Sequence, residues 1–198
     1  QYVRAVADAP SSWQKIQGAI RSGNFQPTIA PLQKIISENK GLYWDEAATD
    51  LLGQALLGTD DPTGALKAFD TLILFNAAAA EGEMRFTYWR ALLANKKFTS
   101  LEPKLNKEIE SGENSGAAIA QLIKGDLNTG RNRLEDALLD YLRAYTLYKS
   151  EKEILPEALY KATKTLEGLK DGRSKQFWRL LAERHGSTRY GKEASSKI

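Results

Sequence analysis

The 198 residues contain no cysteine, a single histidine and a single methionine. The first absence removes disulfides, thiol nucleophiles and cysteine-ligated zinc, and leaves the redox compartment open. The single histidine, His185, excludes histidine-pair metal sites and makes any Ser-His-Asp arrangement depend on that one residue. No apolar run approaches the roughly 18 to 20 residues that span a bilayer. No segment alternates β-branched and polar residues as a half-buried strand does, and no Gly-x-Ser-x-Gly nucleophile motif occurs.

What is present suits a soluble, ordered chain. Apolar residues make up 42%, enough for a sizeable core, and charged residues 27% in both signs with a net charge of +3. The charge is uneven: Lys170, Arg173, Lys175, Arg179, Arg184, Arg189, Lys192 and Lys197 crowd the last 29 residues against Asp171, Glu183 and Glu193. Such a segment, 170–198, can meet a polyanion or a membrane surface by long-range attraction, and is otherwise a solvated helix face. Any signal peptide or lipid anchor, and with it membrane proximity, would lie upstream of Gln1.

Apolar residues recur at helical spacing, interrupted by Gly, Pro, Asn and Asp clusters. About ten helices are expected, near 11–22, 26–39, 43–57, 62–80, 83–95, 98–111, 115–129, 132–150, 153–170 and 173–186. Short connections pair them as hairpins at 11–39, 43–80, 83–111, 115–150 and 153–187, with 188–198 as a tail. The hairpins repeat. Thr28, Ala65, Leu101, Ala137 and Phe177 stand 37, 36, 36 and 40 residues apart early in each second helix. Four residues on come Leu32, Phe69, Leu105, Tyr141 and Leu181, and four further Ile36, Ile73, Ile109, Tyr145 and His185, one buried stripe per helix. Twelve residues before Ala65 and Ala137 stand Gly53 and Gly125, where a missing side chain lets two helices approach closely. A two-helix period near 36 predicts an all-α fold, a single domain over 1–198 built as a solenoid of about five antiparallel hairpins.

The stretches LLGQALLGTDDPTGALKAFDTL and AIAQLIKGDLNTGRNRLEDALLDYLRAYTLY place Gly53, Ala65 and Phe69, and Gly125, Ala137, Tyr141 and Ala144, in a pattern that resembles tetratricopeptide repeats. The C-terminal part, from Glu157-Ala-Leu-Tyr-Lys161 to Gly191-Lys-Glu-Ala194, is similar to bacterial envelope repeats of the Tol-Pal coordinator and outer-membrane assembly lipoprotein type, with His185-Gly186 where those carry Tyr-Pro. The resemblance implies a right-handed superhelix whose concave face, lined by the first helix of each hairpin, binds a protein or peptide in the periplasm or at the outer membrane. On that face it places Asp50, Gln54, Leu57, Leu122, Asp126 and Thr129.

GDLNTGRN, 125–132, has the outline of a phosphate loop, yet Arg131 and Asn132 occupy the lysine and hydroxyl positions and a helix precedes it. It reads as the turn of a hairpin, with Asn128 to Gly130 ending one helix and Asn132 capping the next. His185 falls in a packed row near a helix end. Asp60, Asp61 and Thr63 read as helix-entry residues ahead of the Pro62-led helix, and no cofactor, metal or nucleic acid is expected. Adjacent aromatics cannot both face inward. One of Tyr43/Trp44, Tyr88/Trp89 and Phe177/Trp178 should therefore lie nearer the surface, and Trp44 and Trp89 join the candidates for partner contact. The rival functions are polyanion or membrane-surface binding through 170–198, and an enzyme built around His185 or the carboxylates.

Overall fold

A computed structural model describes residues 8–112 and 114–198. They are helical, with no strand among the described residues, and divide into two compact units, 1–97 and 98–198.

In the first unit, α1 (Trp13–Arg21) leads through a 3-10 turn at Gln26–Thr28 to α2 (Ile29–Glu38), α3 (Tyr43–Gly58) and α4 (Pro62–Phe75). A second 3-10 turn, Ala77–Glu81, precedes α5 (Arg85–Ala94). α3 is the centre and packs against α1, α2, α4 and α5. Its small residues Ala48 and Ala55 are fully buried with Leu32, Ala65 and Phe69 of its neighbours. α4 starts where its chemistry dictates: the Asp61 carboxylate accepts the Gly64 N–H at 2.8 Å and Pro62 opens the first turn.

The second unit runs α6 (Phe98–Ser111), α7 (Asn114–Gly130), α8 (Leu134–Leu147), α9 (Leu155–Gly168), α10 (Ser174–His185) and α11 (Arg189–Ser195). Each helix packs on the next, and α11 also returns to α9. One cluster joins Leu122, Ala137, Tyr141, Ala158, Ala162 and Leu166, and another Leu159, Trp178, Leu181 and Ala194. The 188–198 segment, expected as a tail, is therefore mostly a helix that covers α10. Thr188 caps it by accepting the Gly191 N–H at 3.1 Å.

The period shows in the backbone. Gly23, Asp60, Lys96, Asn132 and Lys170 adopt left-handed φ between 56° and 76°, spaced 37, 36, 36 and 38 residues apart. After each, an N–H reaches back five residues: Asn24 to Ala19, Asp61 to Leu56, Lys97 to Leu92, Arg133 to Asn128 and Asp171 to Leu166, all at 2.8–2.9 Å. This is the helix-stop that satisfies terminal carbonyls through one left-handed residue, repeated five times. GDLNTGRN is the fourth copy. α7 continues through Gly130, and Asn132 is the left-handed residue and not the cap of α8; Asp60 likewise turns the chain and leaves the capping to Asp61.

The side-chain rows follow the same period. Leu32, Phe69, Leu105, Tyr141 and Leu181 are all buried, and Ile36, Ile73, Ile109, Tyr145 and His185 are half-buried. A Cβ on Gly53 would stand 2.3 Å from the Phe69 ring, and one on Gly125 2.4 Å from the Tyr141 ring. Neither ring is free to move: Phe69 packs on Tyr88 at 5.6 Å and the Tyr141 hydroxyl is hydrogen-bonded. Gly53→Ala and Gly125→Ala should each lower stability by about 1–2 kcal/mol net, as overpacking outweighs the roughly 1 kcal/mol gained in helix propensity. Gly18→Ala in α1, with nothing within 4 Å of the added carbon, should be neutral or stabilising. Urea denaturation checks the contrast, and equal behaviour of all three variants would remove the close-approach argument.

Candidate partner-binding surfaces

The stripe Tyr43, Ala47, Asp50, Gln54, Leu57 runs along one side of α3, at the spacing that keeps residues on one helical face. Its first half opens onto a cavity of about 260 Å³, lined by Trp13 and Gln17 of α1, by Tyr43, Trp44, Glu46, Ala47, Asp50 and Leu51 of α3, and by Glu83 and Met84 at the entry to α5. Trp13 and Trp44 meet edge to face at 4.9 Å, and Tyr43 meets Trp44 at 5.2 Å. The structure thus brings Trp44 and Asp50 into one site, with Tyr43 the more exposed of its pair at 43%.

Asp50 is half-buried. One carboxylate oxygen accepts the Gln54 amide at 2.9 Å, and the other, Oδ1, is buried with no hydrogen-bond partner. Burial pushes its carboxyl pKa up, against the Thr87 hydroxyl, the Gln54 amide and the Arg90 charge, which favour ionisation. A carboxyl raised in the folded state takes up its proton there first, so stability is lost as pH rises through the folded pKa and regained as it falls. Asp50→Asn is therefore expected to be more stable than wild type at pH 7. The difference should shrink as pH falls and vanish below the ordinary value of 3.8. Thermal unfolding against pH reads this, and a pH-independent difference would refute it.

Among the other candidates, Gln54 serves Asp50 and Leu57 is half-buried against the core. Trp89 is only 3% exposed, which corrects its assignment to a contact surface; Tyr88, the half-buried member of that pair, lies nearer solvent. Leu122 is likewise corrected: it is 2% exposed, because α7 is covered by α6 and α8 and Leu122 packs in the Ala137–Tyr141 cluster.

Asp126 and Thr129 belong to a network tying α7, α8 and α9. The Lys161 ammonium donates to both Asp126 oxygens at 2.7 and 2.8 Å and pairs with Glu157 at 2.9 Å. The Tyr141 hydroxyl donates to Asp126 at 2.8 Å and lies 3.0 Å from the Thr129 hydroxyl. Burial draws the lysine pKa down, and the Asp126 and Glu157 carboxylates more than offset it, so it stands above its usual value. Burial and the Asp126 charge together push the Tyr141 phenol far up. A protonated lysine and a neutral phenol give this network the chemistry of a clamp between helices.

Sequence reading missed two features. On the opposite side of α3, a largely apolar cavity of about 700 Å³ opens between α2 and α4, lined by Ile36, Leu52, Ala68, Leu72 and Phe75 among others. At its edge Phe75 is 69% exposed and carries the Lys40 ammonium 4.0 Å over its ring. The exposed apolar end of α4, Ile73-Leu74-Phe75, was the available signal. The second is Asp140, 2% exposed, which accepts the amides of Gln121 at 2.7 Å and Asn128 at 2.8 Å.

His185 lies half-buried, edge-on to Tyr145 at 6.1 Å, with its pKa lowered by burial and by Arg184. No group of three or more metal-ligating side chains, and no helix long and apolar enough to cross a membrane, occurs among the described residues. Compared with models of known protein families, with curated proteins and with solved structures, the chain matches none.

Proposed function

We propose that this chain is a non-catalytic protein-interaction module of the bacterial cell envelope, its hairpins stacked as a tetratricopeptide-like right-handed superhelix that receives a protein or peptide on the face of its first helices. The observation that carries the reading is the aromatic cavity on α3, where Trp13, Tyr43, Trp44 and Asp50 converge on a partly open surface. Aromatic residues concentrate where binding energy does. The five helix-stops of one period and the paired Gly53–Phe69 and Gly125–Tyr141 contacts support the repeat. The site and not the repeat carries this reading, since helical repeats as a class specify no particular partner.

Selection from a displayed peptide library tests this reading. The expected result is a consensus peptide whose binding protects amides of α1, α3 and α5 from hydrogen exchange. Failure to enrich any consensus counts against it. Protection confined to α10 and α11, with affinity collapsing in modest salt, would instead favour a polyanion-binding role for the exposed Lys175, Arg179, Arg184 and Lys192.

A further inference from the structure

The α3 cavity has two walls of different chemistry. One is aromatic, formed by Trp13, Tyr43 and Trp44. The other is anionic: Glu46, Asp50 and Glu83 line it, and no lysine or arginine is among the lining residues. Residues 1–97 carry ten Lys or Arg and ten Asp or Glu, so three carboxylates here are a local excess and not a sample of an acidic unit. Two of the three already have neighbours, since Glu46 accepts the Asn76 amide at 3.4 Å and Arg90 acts on Asp50 from outside the lining. Yet Asp50 Oδ1 stays buried with no donor in hydrogen-bonding geometry, and the nearby Thr87 hydroxyl and Arg90 charge offset the cost of that burial only in part. Indole and phenol faces attract cations for the same electrostatic reason. The volume of about 260 Å³ is below the roughly 300–1,000 Å³ of sites that hold a whole small molecule, and suits one extended side chain.

We infer that the cavity receives a lysine or arginine side chain of the partner, its charge set among Glu46, Asp50 and Glu83 and its methylene stem against Trp13, Tyr43 and Trp44. The inference rests on the interaction reading above and narrows the partner to one with a basic segment. Aromatic walls holding the stem and acids holding the head divide the work as long basic side chains do at other surfaces.

The test is a titration of the full chain with N-acetyl-tetralysine amide, followed through the indole N–H resonances of the four tryptophans. The Trp13 and Trp44 signals should shift, while Trp89 and Trp178, each 3% exposed, stay in place. N-acetyl-tetraglutamate amide should leave all four unmoved. The chain's net charge of +3 opposes tetralysine, so binding cannot arise from overall attraction. In the Asp50→Asn/Glu83→Gln variant, with its fold verified by thermal unfolding, affinity should fall by about tenfold. An absence of shifts at Trp13 and Trp44, equal shifts with tetraglutamate, or undiminished affinity in the double variant would each overturn the inference. A library selection that yields an uncharged or acidic consensus on these same helices would also remove the basic side chain while leaving the interaction module standing. Enrichment of nothing, with tetralysine still filling the cavity, would do the reverse.

Discussion

Gly191→Ala is expected to destabilise the 98–198 unit by about 3 kcal/mol, the upper part of the range for overpacking. The added carbon would stand 2.0 Å from the His185 carbonyl oxygen and 2.6 Å from the Gly186 Cα. These are backbone atoms at the end of α10, so no side chain can step aside to make room. The structure can respond only by lifting α11 away. That helix covers Trp178 and Leu181 through Ala194 and Tyr190, and α10 would then present an uncovered apolar face at the end of the unit. Trp178 is the one tryptophan of residues 98–198, so its emission in a variant lacking the other three should shift to the red. Gly172→Ala, with nothing within 4 Å of the added carbon, is the control expected to leave stability unchanged. Equal stability of the two variants would show that α11 contributes little.

Asp140→Ala should cost the same unit about 3 kcal/mol for a different reason, the loss of an acceptor for two buried donors. Gln121 and Asn128 are 4% and 7% exposed, and both amides point at the Asp140 carboxylate. Its remaining partner, Arg143 at 3.2 Å, has a side chain 55% exposed, so it returns to water at little cost. Removing the carboxylate alone leaves two amides dry and unpaired. Replacing Gln121, Asn128 and Asp140 together by leucine should recover most of the loss, since an apolar core of similar volume needs no partners. Guanidinium denaturation of the single and triple variants measures both. A triple variant no more stable than Asp140→Ala would mean that the network matters for geometry more than for satisfied hydrogen bonds.

The helices were legible because burial on one side of a helix leaves a 3.6-residue trace, and the period was legible because the trace recurs. Leu32, Phe69, Leu105, Tyr141 and Leu181 are the stripe read from the chain, and all five are buried. Gly53 and Gly125 were legible as well, since a glycine inside an apolar helix has little use except close approach. The 98–111 helix was placed to the residue, whereas 62–80 divides at Asn76 into α4 and a 3-10 turn. Four alanines in a row at 77–80 favour helix and carry no stop signal, so propensity alone read through the break. α11 was missed because Arg189 to Ser195 is short and mixed in composition, and its helical state depends on the face of α10 beneath it.

Among the candidate site residues, Asp50 and Trp44 line one cavity, but Trp89 and Leu122 do not reach the surface. A repeat pattern tells which positions are equivalent. It does not tell what covers each copy: Leu122, at the position equivalent to Asp50, is buried in the Ala137–Tyr141 cluster, while Thr129 on the same helix is exposed.

From its own residues, then, the chain determined that it is helical, where most helices start and stop, which side of each is buried, and that its helix-stops and buried rows recur at a period near 36 residues. Those properties depend on local periodicity and on turn residues that act over a few positions. Only tertiary structure decided that Asp140 is a buried acceptor, that α11 closes the end of α10, and that Trp13, Tyr43 and Trp44 wall a cavity with three carboxylates. Each of these joins residues on different helices, twelve or more positions apart, and the energy of such contacts comes from burial and pairing that exist only after the helices have packed.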